Sequence, residues 1–192
     1  MRLSRLCVAI SLSASLAQPA IAQETPAASF SLSGTVFEKA AQARGIEPTL
    51  LYALTLIESN DTAPDRGIQR GFVAPWPYTL RTPSTAYRFD TRDEAEAALH
   101  RLLKTTRLID IGWGQVNWYW HKDRLDSPES LLDPEYNLLY ASQYLKESMQ
   151  LSPNDAALGV GYYHNRKDLD LARNYGERVL AVQRNLKRLE GQ

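Results

Sequence analysis

The 192-residue chain predicts a mainly α-helical domain that carries one small inserted β-hairpin. Apolar residues recur at helical spacing through most of the chain, and capping residues stand in front of several of these runs. One stretch, residues 72–89, breaks the pattern with Pro75, Pro77 and Pro83 set among aromatics. No internal repeat is present.

The first 22 residues read as an export signal. Arg2 and Arg5 make a basic start, residues 6–16 are an apolar run too short for a membrane anchor, and Ala20-Ile21-Ala22 is a small-x-small cleavage pattern. Residues 23–33, rich in Ala, Ser, Thr and Pro, read as a flexible lead-in, and residues 34–192 as the domain. Cleavage near Ala22 removes the single cysteine, Cys7, so the mature domain has no disulfide and depends on packing. It leaves 20 Lys and Arg against 22 Asp and Glu, a net charge of about −2, which argues against bulk nucleic-acid binding. With no second segment apolar enough to cross a bilayer, the expected location is the periplasm.

Residues 35–43 form a short helix pattern ended by Gly45. Residues 48–59 are a strongly apolar helix opened by Pro48, which suits a first turn because its missing N–H has no partner there anyway. Residues 60–71 are polar, with Pro64 and Gly67, and read as a loop. Residues 78–80 and 86–89 are placed to pair as a hairpin around Thr82-Pro83-Ser84. Thr91 and Glu94 make a capping box that opens a helix to about Arg107, with Ala95, Ala98, Leu99 and Leu102 on one face. Residues 109–117 read as a turn bearing Gly112 and Gly114. A helix over 134–149 follows, with Leu138, Leu139, Ala141, Tyr144 and Leu145 on its buried side. Two more are predicted, over 152–164 and 170–189.

Glu58 is the first candidate for chemistry. It ends the most apolar helix, where core meets solvent, and burial raises a carboxyl pKa toward the range of a proton donor at neutral pH. By position alone, a Glu at a helix end is more often a solvated surface residue. Gln115 and Asn117 follow the two glycines, and their amides both donate and accept hydrogen bonds, as sugar hydroxyls and acetamido groups require. Trp113, Trp118, Tyr119 and Trp120 offer flat faces for sugar rings or, taken singly, for the core. Tyr163 and Tyr175 carry hydroxyls able to reach a carboxylate. His100, His121 and His164 have spacings that fit no usual metal-ligand pattern.

In this order, Glu58-Ser59, then Gly112-x-x-Gln115-x-Asn117, then Tyr163-His164, then Tyr175-x-x-x-Val179, the chain resembles the soluble lytic transglycosylase domain. That bacterial family has a goose-lysozyme-like fold. The resemblance runs from about residue 35 to 180 and is closest to the branch associated with conjugation and type IV secretion. It implies that Glu58 is a lone catalytic acid and base. It implies that Ser59 hydrogen-bonds near Glu58, that Gln115 and Asn117 line a glycan cleft, and that Tyr163 and Tyr175 stand beside the acid. The expected reaction cuts the β-1,4 bond between N-acetylmuramic acid and N-acetylglucosamine in peptidoglycan and leaves 1,6-anhydro ends, with no cofactor and no metal. Expected partners are glycan strands and components of a conjugation or secretion apparatus. A lysozyme-like hydrolase and a non-catalytic wall-binding component are the alternatives. Trp113-Gly114 stands where the family usually has Leu-Met, and the separation of Glu58 from Gln115 is long. No second carboxylate is marked, since Asp61, Asp65 and Asp110 read as loop or turn residues. The inserted segment 72–89, with Trp76 and Tyr78, is placed as a wall of the cleft.

Overall fold

The computed structural model describes residues 30–59, 68–69 and 72–191. The export signal, the start of the lead-in, and Asp61 and Asp65 lie outside the described residues.

The domain is mainly helical with a small antiparallel sheet, as the sequence predicts. Helix α1 (Val36–Gln42) is capped by Thr35, whose side chain accepts from the Glu38 N–H. The chain then turns through Gly45 at φ +63°, a left-handed conformation that favours glycine. Helix α2 (Pro48–Ser59) matches its predicted span and is buried on nearly every side, from Thr49 to Thr55 and again at Ser59. Such a helix belongs at the centre of a domain, and α2 packs between α1 and the long C-terminal helix.

Two strands of two residues each, β1 (Ile68–Gln69) and β2 (Phe72–Val73), pair antiparallel. The first lies in the stretch expected to be wholly loop. Strands β3 (Thr79–Arg81) and β4 (Ala86–Arg88) form the predicted hairpin, with Leu80 opposite Tyr87. The hairpin is not isolated. The expected glycine turn is itself a second hairpin, β5 (Asp110–Ile111) and β6 (Val116–Asn117), and β5 pairs with β3, giving a sheet in the order β4-β3-β5-β6.

Helix α3 (Arg92–Leu102) has the predicted capping box, in which Thr91 and Glu94 satisfy each other's N–H groups. It stops five residues short of Arg107. There the hydroxyl of Thr105 donates to the Leu102 carbonyl, one of the helix-end acceptors, and turn structure replaces the ladder. A one-turn helix α4 (Trp118–His121), capped by Asn117, and two 3₁₀ turns lead to α5 (Pro134–Gln150). Leu138, Ala141 and Leu145 are buried on α5 as expected, but Leu139 faces solvent at 40 % exposure. The buried stripe takes in Asn137, Ser142 and Ser148 instead, because polar groups that can bond locally or across the core fill its remaining positions. Helices α6 (Ala156–Gly161) and α7 (Leu169–Leu189), capped by Asp155 and Asp168, complete the chain. Their backbones touch: a Cβ on Gly161 would strike the Ala172 carbonyl, and one on Gly176 the Ala157 carbonyl.

Two apolar cores result. One joins α1, α2, α6 and α7 with Leu138 and Leu145 of α5. The other joins the sheet, α3 and the 3₁₀ turn at Leu131 and Leu132 with Ala141 of α5. Helix α5 and Tyr163 serve both cores, and between them, where the C-terminus of α2 faces the sheet, lies a cleft.

Candidate active site

Glu58 sits in the last turn of α2. Neighbouring atoms strip its carboxyl of water, although part of the residue still faces the cleft. That desolvation pushes its pKa up to about 7. The Tyr175 hydroxyl donates to its Oε1 at 2.5 Å and pulls the pKa down, Asp110 pushes it up, and Arg81 and Arg178 pull it down. The helix C-terminus, with its partial negative charge, also disfavours a carboxylate. Among the described residues Oε2 has no hydrogen-bond partner, so it is the oxygen free to carry a proton into the cleft.

Two hollows meet at this carboxyl. One, of about 330 Å³, is walled by β3, β4 and their turn together with Ser59 and Gln115. The other, of about 270 Å³, is lined by Asp110, Asn117, Trp120, Tyr163 and His164. Glu58, Arg81 and Gln115 belong to both. A larger hollow of about 630 Å³ lies elsewhere, by the N-terminus of α2, where Lys187 and Gln183 pair with Glu47.

The sheet explains the polar wall. Across β3, β5 and β6 the register puts Leu80, Ile111 and Val116 in one row, all buried in the second core. The adjacent row is Arg81, Asp110 and Asn117. Alternation in a strand sends this row to the opposite face, which is the cleft. Asn117 Nδ2 donates to Asp110 Oδ1 at 2.7 Å, while Asn117 Oδ1 caps α4. Burial raises the Asp110 pKa; the Asn117 bond and the charges of Arg81 and His164 oppose this.

The glycine turn is held from below. Buried Asn137 accepts from Gly114 N–H at 2.8 Å and donates to the carbonyls of Ile111 and Leu131 at 2.8 and 3.0 Å. Gly112 has φ +75° and lies against Asn137, and Gly114 lies against Ala141 and the Tyr163 hydroxyl, so neither position has room for a Cβ. Gln115 itself has φ +45°, unusual for a side-chain-bearing residue. Its Nε2 donates to Thr79 Oγ1 and the Gly112 carbonyl, both at 2.9 Å, which turns Oε1 toward other donors.

The structure therefore gathers all six sequence-predicted residues around one cleft, with particular bonds. Ser59 is buried and its hydroxyl donates to the Thr55 carbonyl of its own helix. Tyr163 donates to the Gly114 carbonyl at 2.7 Å. Tyr175 reaches Glu58 and is stacked on His164, their rings 4.7 Å apart and 4° from parallel. The aromatics divide. Trp113 packs on Phe37 and donates to the Pro75 carbonyl, and Trp118 joins the second core. Trp120, at 70 % exposure, is the one of these that lines the cleft. The inserted segment walls the cleft through Thr79 to Arg88, whereas Trp76 donates to the Phe89 carbonyl and Tyr78 packs in the second core. The histidines are separate: His100 pairs with Glu129, His121 with the Tyr140 hydroxyl, and His164 stacks on Tyr175. Among the described residues no three His, Cys, Asp or Glu side chains come together as a metal site, and no helix is long and apolar enough to cross a membrane.

Sequence reasoning did not find Arg81 or Asn137, and it treated Asp110 as a turn residue. A polar residue flanked by Ile109 and Ile111, answered by Asn117 after Val116, was the available signal for a paired β ladder.

Comparisons of the chain with protein-family models, with curated proteins and with solved structures find no match.

Proposed function

We propose that the protein is a peptidoglycan lytic transglycosylase that cuts the β-1,4 bond between N-acetylmuramic acid and N-acetylglucosamine. The observation that carries the proposal is a carboxyl with a pKa of about 7, anchored on one oxygen by Tyr175, at the junction of two hollows. A glycan laid across both hollows has its scissile bond at Glu58.

The steps follow from that placement. Protonated Glu58 gives the proton on Oε2 to the glycosidic oxygen; the bond from that oxygen to the anomeric carbon breaks and its electrons stay with the leaving sugar. The Tyr175 hydrogen bond steadies the carboxylate so formed. That carboxylate removes the proton from the 6-hydroxyl of the N-acetylmuramic acid, the sugar that keeps the anomeric carbon, and the 6-oxygen closes on that carbon as a 1,6-anhydro ring. A pKa near neutrality suits a group that must act first as acid and then as base. No cofactor or metal enters. The export-signal pattern of residues 1–22 supports action in the periplasm, and the motif order supports service to a conjugation or type IV secretion system.

One observation favours a second reading. Asp110 lines the same hollow as Glu58 and supplies the second carboxylate that a lysozyme-like hydrolase uses. Mass analysis of products from purified peptidoglycan separates the two. Anhydro ends are expected; reducing ends in their place establish the hydrolase, and strands that are bound but never cut leave a wall-binding component.

A further inference from the structure

Arg81 ends β3 on the cleft face, is exposed, and lines both hollows beside Glu58. Among the described residues its guanidinium makes no hydrogen bond and no ion pair. Its cross-strand neighbour Asp110 takes its hydrogen bond from Asn117 instead. Five N–H donors in a planar fork are thus open to the cleft, an arrangement suited to a carboxylate.

This cation also works against the acid beside it. Its charge draws the Glu58 pKa down, away from the poised value that burial produces. A strand of neutral sugars gives a guanidinium nothing to neutralise it. An anion seated on Arg81 removes that opposition at the moment the strand is bound, so the bound acid keeps its proton better than the free one.

We infer that Arg81 receives a carboxylate carried by the glycan at the sugar beside the scissile bond, and so selects acid-bearing strands over neutral ones. The inference rests on the glycan-cleaving reading of the site. Because Arg81, like Glu58, lines both hollows, the carboxylate assigned to it is the one on the ring substituent itself. In peptidoglycan that group is the lactyl ether, and it is a free carboxylate only where no peptide is attached. The reaction that supplies this substrate is then an amide hydrolysis that strips peptides from the strand.

The test measures binding and cleavage separately. Binding is read by calorimetry in a Glu58→Gln background, with three probes: peptide-free glycan strands, the same strands with lactyl carboxylates converted to N-methylamides, and peptide-bearing strands. Peptide-free strands are expected to bind about tenfold more tightly than the methylamides, the worth of one charge-assisted contact. Arg81→Gln is expected to erase the difference and Arg81→Lys to keep part of it; Arg81 is exposed, so folding is not at stake. Equal affinity for the first two probes, or a difference that survives Arg81→Gln, overturns the inference. A gain confined to peptide-bearing strands and lost in Arg81→Gln assigns the anion to the peptide and overturns the lactyl assignment. Cleavage is scored in the unsubstituted protein: no product from any strand sinks the catalytic reading alone, and leaves the binding difference to decide on Arg81.

Discussion

Tyr175 and Glu58 stand 117 residues apart in the chain, and a single 2.5 Å hydrogen bond from the tyrosine hydroxyl to Oε1 joins them. The bond ties the end of α2 to α7 at the cleft. It also opposes the stronger effect on the carboxyl: burial raises the pKa and the tyrosine lowers it, with about 7 as the balance. His164, stacked on the tyrosine ring, fixes the donor in place. The site is thus a buried acid with one oxygen anchored and the other open.

Glu58→Gln should reduce peptidoglycan turnover by roughly 10²–10⁴-fold, the range for loss of a general acid and base. Glutamine keeps the shape and can still accept from Tyr175, so the fold should survive. Release of soluble glycan fragments, with or without peptide, is the measurement, and turnover retained within tenfold of the parent removes Glu58 from the mechanism.

Tyr175→Phe should shift the pH–rate profile. The hydrogen bond favours the ionised carboxylate, so its loss raises the Glu58 pKa above about 7. The alkaline limb, where the donor loses its proton, should move to higher pH, and the rate at the optimum should fall because the carboxyl is no longer anchored. A limb that stays in place shows that the ionisation of Glu58 does not set it.

Stability should carry the same signature. The Glu58 pKa is raised from 4.5 to about 7, so its contribution is fully present below pH 4.5 and is lost as pH rises through 7. At pH 8 the folded protein holds a carboxylate where burial disfavours one, at a cost on the order of 3 kcal/mol by the linkage relation. Glu58→Gln should therefore be more stable than the parent at pH 8, by an amount that shrinks toward pH 4.5. Denaturant unfolding at both pH values checks this, and a pH-independent difference contradicts it.

The helices were the legible part of this chain, since caps such as Thr91 with Glu94 and the apolar run of α2 are local features. The six predicted site residues were legible only as an ordered pattern, and the structure brings them to one cleft. What local reading could not supply was register. Arg81 comes beside Asp110 only because β3 pairs with β5 across nearly thirty residues, and Asn137 meets Gly114 only when α5 packs under the sheet. Leu139 shows the opposite error. Its type suggests burial, but its place on α5 leaves it in solvent, while a buried asparagine holds the glycine turn.

Asn137→Ala should destabilise the domain by roughly 3 kcal/mol, because it leaves the Gly114 N–H and the Ile111 and Leu131 carbonyls buried without their partner. Activity should fall as well in the fraction that stays folded, since the Gly114 carbonyl anchors Tyr163. Equilibrium unfolding read alongside turnover at low temperature separates the two effects. A variant as stable as the parent shows that the turn holds its shape without this clamp.

Asp110→Asn tests the second carboxylate. The Asp110 charge pushes the Glu58 pKa up, so its removal should lower that pKa and move the alkaline limb to lower pH, opposite to Tyr175→Phe. Asparagine can still meet Asn117 across the ladder, so the sheet should hold. If Asp110 acts only through this field, the variant keeps its anhydro products and its rate recovers as pH is lowered. If Asp110 directs water to the anomeric carbon, reducing ends disappear and no pH restores the rate. The limb position and the product mass together decide whether this cleft works with one acid or with two carboxylates.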